Sequence, residues 1–282
     1  MPRAPFFWPW IVLWATLSAA VVVWGLSGLA PQPAAEERDP EELFKLAETL
    51  SRWEIDRFGH SLAAPLYEKA ARLNHPGALT NLGLRLLSGR GVPRDLAKAF
   101  ASFEKAATLA HPDGIYNLAL AYAYGLGTEI DPEKAHALFH RASASGHALS
   151  LYNLGVGYLL GFGVARDEAR AIFYLEMASH KGHVDSLVTL GLIYRDGLQS
   201  VNADCPKAAG YLAAAARARD PDALYALAAL YHNGDCLKPN QALAMALLRQ
   251  AAEGGNFAAR AILADETPDR SFPARERPAE TF

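Results

Sequence analysis

The sequence predicts an all-α protein: a solenoid of stacked helix pairs with one transmembrane helix ahead of it. Residue types recur at 36-position steps between Asp39 and Asp265, as in Asn81, Asn117 and Asn153, or Gly89, Gly125 and Gly161, or Ala99, Ala135 and Ala171. Between these breakers, apolar residues return every three or four positions, the period of a helix face. A unit this short cannot bury its own apolar side, so neighbours must stack and share a core. The third observation is local: no charged side chain lies between Ala4 and Ala35.

In chain order, the membrane segment comes first. Phe6 to Ala30 is apolar and long enough to cross a hydrocarbon core of about 30 Å as a helix. Trp8, Trp10 and Trp14 gather near one end and Trp24 towards the other, as interfacial belts do. The rival is a cleaved signal peptide ending at Gly28 and Ala30, but the apolar run exceeds a usual signal core and Pro31 would follow the cut. Arg3 and the α-amino group precede the segment, while Glu36, Glu37, Asp39, Glu41 and Glu42 follow it against Arg38 alone. Positive charge stays inside, so the solenoid is expected outside the cytoplasm, in the periplasm if the cell is bacterial. Residues 1–38 are therefore read as a single-pass inner-membrane anchor and linker. Secretion after cleavage is one alternative, and a cytoplasmic solenoid is the other.

Six helix pairs follow, at 39–74, 75–110, 111–146, 147–182, 183–219 and 220–255, with a capping helix near 257–265. The unit from Asp131 is typical. Asp131 can cap a helix that Pro132 starts, and Ala135, Leu138, Phe139 and Ala142 line one face. Gly146 and His147 turn the chain, after which Leu151, Leu154, Gly155 and Tyr158 form the stripe of the next helix, closed by Gly161 and Gly163. In register, His75, His111, His147, His183, Asp220 and Asn256 share one position, and Pro76, Pro112 and Pro221 follow it in half the units. That is N-cap chemistry, and it reaches back to Asp39 and Pro40. Gly83, Ala119, Gly155, Gly191 and Ala228 each follow a Leu, and small residues there let the paired helix approach closely. The fifth unit is one residue longer, between Gly197 and Asp204, where a loop absorbs the change.

The pattern L-G-x-x-Y, then G-x-G-V, then D-x-x-K-A resembles the Sel1-like repeat, a relative of the tetratricopeptide repeat. Leu154, Gly155, Tyr158, Gly161, Gly163, Val164 and Asp167 carry it in one unit, and Asp131, Lys134, Ala135 and Gly146 in another. Leu86 in place of the Tyr, Gln199 in place of the second Gly and Asn240 in place of the Asp depart from it, and are expected to weaken the loops of their units. The resemblance implies a right-handed α/α superhelix used as a non-enzymatic adaptor for protein complexes, often in the bacterial envelope. Some cysteine-rich relatives have been linked to β-lactam binding, so a periplasmic enzyme of that kind is the alternative.

Chemistry-bearing motifs are sparse. The net charge of −3 and pI near 6.3 supply no basic field, so nucleic acid is not an expected partner. No nucleophile sits with a base, and the G-x-G pairs lack both the third glycine and the preceding strand of a nucleotide fingerprint. His136 and His140 have a spacing that can share a metal, but no acidic or Cys ligand joins them. No cofactor, metal or catalytic residue is therefore expected.

Three exceptions to the scaffold remain. Cys205 and Cys236, the only cysteines, fall in turn regions of adjacent units. Either they form a disulfide, which would stabilise by roughly 3.5 kcal/mol in the chain-entropy model, or they are two half-buried thiols. By analogy with the tetratricopeptide superhelix, the first helix of each pair lines a concave surface. Tyr116, Tyr152, Val188 and Tyr225 then form one row, and Leu120, Val156 and Leu192 another. Either the rows are a groove that captures an envelope protein, or the tyrosines pack between units. Residues 266–282, rich in Pro, Glu and Arg, read as a disordered tail.

Overall fold

The structure, a computed structural model, describes residues 39–52, 56–234 and 236–264. Among them are thirteen helices and no strand. The helices pair as α1 (Pro40–Arg52) with α2 (Asp56–Arg72), α3 (Pro76–Ser88) with α4 (Leu96–Thr108), α5 (Pro112–Tyr124) with α6 (Pro132–Ser143), and α7 (Ala148–Leu160) with α8 (Glu168–His180). Then come α9 (Val184–Asp196) with α10 (Cys205–Arg217), α11 (Pro221–Asn233) with α12 (Gln241–Gly254), and a closing α13 (Phe257–Ala264). Each helix packs along its partner and then against the next pair, so contacts run only between near neighbours. This is the α/α solenoid the repeat predicts. The anchor read over Phe6–Ala30 and the tail over 266–282 lie outside the described residues. No described helix is long and apolar enough to cross a membrane.

Caps set the helix boundaries. Nδ1 of His75 accepts the Ala78 N–H at 3.0 Å, and His147 and His183 do the same for Ser150 at 3.2 Å and Ser186 at 3.3 Å. Asp220 and Asn256 serve Ala223 and Ala259 at 2.8 and 2.7 Å. Asp95, Asp131, Asp167, Asp204 and Asn240 cap the second helices in the same way. Asn240 thus holds α12 as an Asp would, and its departure from the pattern weakens nothing. Each such cap contributes about 1 kcal/mol. The second helices end on a left-handed residue: Gly146, Gly182 and Gly255 in three units, but Asn74, Ala110 and Arg219, with φ of 63, 58 and 61°, in the others. The latter three carry the strain that glycine avoids.

Packing explains the small residue after the Leu. A Cβ at Gly155 would lie 2.6 Å from Leu175, and one at Gly191 would lie 2.6 Å from Leu212. Leu154, Leu175, Leu190 and Leu212 are fully buried along this seam. A second close approach joins consecutive units. Gly127 and Gly163, each the second glycine of its loop, sit at φ of 79 and 68° where a Cβ would overlap the Leu96 and Pro132 carbonyl oxygens, at the starts of α4 and α6.

Further along, the same junction is made differently. Gln199 occupies the glycine position, and its N–H and that of Ser200 donate to the Glu168 carboxylate at 3.3 and 2.7 Å. Cys236 occupies it in the last unit and is bonded to Cys205, with Cα atoms 4.9 Å apart. Glu168 and Cys205 are the first residues of α8 and α10, as Leu96 and Pro132 are of α4 and α6. The structure thus contains the first of the two arrangements read from the sequence, the bonded pair. Gln199 does not loosen its loop as expected, because Glu168 fastens it.

Candidate functional site

The first helices present one face along the stack. The row read from the sequence divides there into packing and cavity. The Tyr116 ring lies 4.9 Å from the His147 ring and 5.8 Å from Phe139, and Tyr152 lies 4.7 Å from His183. Phe44 stacks on His75 at 4.4 Å in the same way. Each ring therefore wedges between its own helix and the cap of the next unit, which is the packing role. Burial raises the pKa of both tyrosines, with hydrogen bonds to Asn153 and Thr189 opposing it.

Between α7, α9 and α11 the face opens into a cavity of about 490 Å³. Of the seven residues read as a groove, Tyr152, Val188, Leu192 and Tyr225 line it. Tyr116, Leu120 and Val156 do not. Tyr116 is turned into the junction against His147, Leu120 packs on the cluster of Ala119, Ala135, Phe139 and Leu154, and Val156 is half-buried. The groove is thus shorter than the register implies and centred on the fifth unit.

Its polar rim has no counterpart in the sequence reading. Asp185, Asp220, Asp222 and Arg195 complete the lining. The Arg195 guanidinium is held by both oxygens of Asp196, at 2.8 and 2.6 Å, so its charge is matched outside the cavity. Asp220 is occupied as a cap, which leaves Asp185 and Asp222 as the outward carboxylates. The site joins a short aromatic and aliphatic wall to an acidic edge. Such a surface can hold a side chain by apolar contact and a neighbouring cation by charge.

The carboxylates also tie units together. His75 Nε2 lies 2.9 Å from Glu41, His147 Nε2 lies 3.0 Å from Asp113, and Asn256 donates to Asp222 at 2.7 Å, each 34 residues apart. An Nδ1 that accepts a cap bond leaves the ring proton on Nε2, where it donates to the acid. Burial lowers the pKa of His111 and His183, against Asp113 and Asp185, so both rings stay neutral and able to cap near pH 7. The acidic residues Glu41, Asp113 and Asp222 were visible as letters, but their partners lie in the next unit and only folding brings them together, whereas Asp185 lies 3.9 Å from His183 in its own unit.

His136 and His140 are engaged elsewhere, the first edge-on to Tyr158 at 4.9 Å and the second 6.5 Å from Tyr174. Among the described residues no three His, Cys, Asp or Glu side chains are grouped to hold a metal ion.

The family model described as the Sel1 repeat matches residues 60–75, 76–111, 112–147, 148–183, 185–220 and 221–256. A solved protective antigen of uropathogenic Escherichia coli, displaying an SLR fold, is similar at 28% identity and a TM-score of 0.71, over 80% of this chain and 48% of that one. A Sel1 repeat protein from Oxalobacter formigenes is similar at 27% identity and a TM-score of 0.72, over 85% of this chain and 99% of that one. An immunity protein from Pseudomonas aeruginosa, at 20% identity and a TM-score of 0.52 over 80% and 83% of the two chains, shares the fold. The chain spans about half the length of the E. coli antigen and nearly all of the Oxalobacter protein. No curated protein matches it.

Proposed function

The chain belongs to the Sel1 repeat family, whose members generally mediate protein–protein interaction without catalysis, and from that premise we propose a membrane-anchored scaffold that organises an envelope complex. The observation that carries this is the cavity lined by Tyr152, Val188, Leu192 and Tyr225 beside Asp185 and Asp222. It fits a partner segment in which an aliphatic or aromatic side chain stands next to Lys or Arg. Aromatic walls of this kind supply contact area at little entropy cost. The uncharged run from Ala4 to Ala35 supports the anchor, and the Cys205–Cys236 bond supports an oxidising compartment such as the periplasm.

A photo-crosslinking residue placed in living cells tests the assignment. At Val188 it should give a discrete protein adduct that disappears when Asp185 and Asp222 are both changed to Lys. At Ala137, exposed on α6, it should not. Equal adducts from both positions, or an adduct indifferent to the charge reversal, would exclude the cavity as the docking site. A C-terminal alkaline phosphatase fusion tests the topology, since activity requires export.

A further inference from the structure

Leu86 stands on α3 where Tyr122, Tyr158 and Tyr194 stand on α5, α7 and α9. In those three units the ring fills the slot between the second helix of its own pair and that of the pair before. A cation covers each ring: Lys134 at 5.2 Å from Tyr122, Arg170 at 5.5 Å from Tyr158 and Lys207 at 4.6 Å from Tyr194. Other aromatic rings close the sides, with Phe100 at 5.4 Å from Tyr122, Tyr174 at 5.6 Å from Tyr158 and Tyr211 at 5.8 Å from Tyr194. At Leu86 the ring is missing, and a cavity of about 460 Å³ lies between α2, α3 and α4.

Leu79, Leu82, Leu86 and Val92 give this cavity an apolar floor. Lys98, the register equivalent of Lys134, Arg170 and Lys207, stands at its wall, and among the described residues no ring lies under it. Its rim is positive: Arg72, Arg94, Lys98 and Lys105 face only Glu68 and Asp95. Arg72 pairs with Glu68 at 3.8 Å and Lys98 with Asp95 at 3.2 Å, whereas Arg94 and Lys105 make no ion pair among the described residues.

We propose that this slot docks a partner polypeptide through an aromatic side chain next to Asp or Glu. The other units show which group fits, a six-membered ring under a cation, and the unmatched charge of Arg94 and Lys105 selects an acidic neighbour. The slot is independent of the acidic cavity near Tyr152, from which it differs in both place and charge.

The test uses the full-length chain in detergent micelles and a fluorescein-labelled, end-capped peptide, Glu-Asp-Tyr-Asp-Glu, followed by anisotropy. Binding is expected for this peptide and not for the version with Ala in place of Tyr. Leu86→Tyr supplies the ring the other units carry, so it should weaken binding about tenfold or more while the unfolding midpoint holds or rises. Lys105→Glu should also weaken peptide binding about tenfold, with the unfolding midpoint unchanged. If Leu86→Tyr does not fold, Leu86→Phe and Lys98→Ala give the same readout. No binding at millimolar peptide, or equal binding to Leu86→Tyr, would overturn the proposal. Equal binding of the Ala peptide would reduce it to charge alone and overturn it too, and 4-hydroxyphenylacetate binding as tightly as the peptide would make it a small-molecule site instead.

Discussion

At the junctions of the second pair with the third and of the third with the fourth, a glycine lies against the first carbonyl of the preceding second helix. At the next two junctions the same place holds Gln199 over Glu168 and Cys236 over Cys205. The four contacts share their register, a loop residue meeting a helix start 31 positions earlier, as the Cys205–Cys236 separation records. What the fold requires is the contact. Glycine meets it by having no side chain, Glu168 by accepting two backbone N–H groups, and the cysteines by a covalent bond. Such devices should differ in strength, and substitutions at each can rank them.

The covalent junction should matter most. Replacing Cys205 and Cys236 by Ser releases a loop whose closure is worth about 3–4 kcal/mol in the chain-entropy model. Denaturant unfolding should show the loss as an early transition in the C-terminal units, since a repeat array opens locally where a junction fails. A single transition with an unchanged midpoint would mean that the disulfide adds nothing beyond packing.

A glycine junction should rank second. Gly163→Ala combines a φ of 68° with a Cβ driven into the Pro132 carbonyl, and a loss of about 2–3 kcal/mol is expected. Gly161→Ala is the control, because its φ of 77° carries the same backbone penalty with no atom closer than 3.6 Å to the new Cβ. Its cost should stay near 1 kcal/mol. If the two substitutions cost the same, close approach is not what selects the second glycine.

This ranking also separates what the sequence discloses from what it withholds. Helices, caps and the cysteine register were legible because each rests on local chemistry at a fixed spacing: His147 and Asp167 announce a helix start wherever they fall. Partner choice was not. The letters cannot show that Glu168 serves the loop of the next unit, that Asp113 receives the His147 ring proton, or that Tyr116 turns into a junction while Tyr225 lines a cavity, because those depend on how far one unit rotates against the next. The candidate site was therefore half visible, its apolar wall in the register and its acidic edge only in the fold. The slot at Leu86 lay in plain sight as a departure from pattern, but a missing ring becomes a cavity only when its neighbours do not collapse into it.

The carboxylate junction should rank third. Glu168 is 7% exposed and also meets Arg166 at 2.8 Å. Burial alone would raise its pKa, but the Ser200 and Gln199 hydrogen bonds and Arg166 outweigh it, and the net shift is down from 4.5. The folded state then binds fewer protons than the unfolded one as the pH falls below the ordinary value. Its stabilisation is accordingly complete above about pH 4.5 and is lost as pH drops through the lowered folded value. Glu168→Gln should cost about 1–2 kcal/mol near pH 7, and the difference from wild type should shrink on acidification. A difference constant with pH would show that charge plays no part in the junction.

The smallest effect is expected at the position that departs most from the pattern. Gln199→Gly restores the family residue, yet Gln199 gives the junction only its backbone N–H, its side chain is exposed, and its φ is not in the left-handed region that glycine would relieve. The substitution therefore leaves the contact intact and adds freedom to the unfolded chain, so a loss of no more than about 1 kcal/mol is expected. Combined with Glu168→Ala, the outcome sharpens. If glycine then recovers stability, the loop can fall back on the close approach used at Gly127 and Gly163, and the acid is a substitute for it. If it does not, the extra residue between Gly197 and Asp204 has moved the loop too far for that contact, and Glu168 is the only device the longer loop can use.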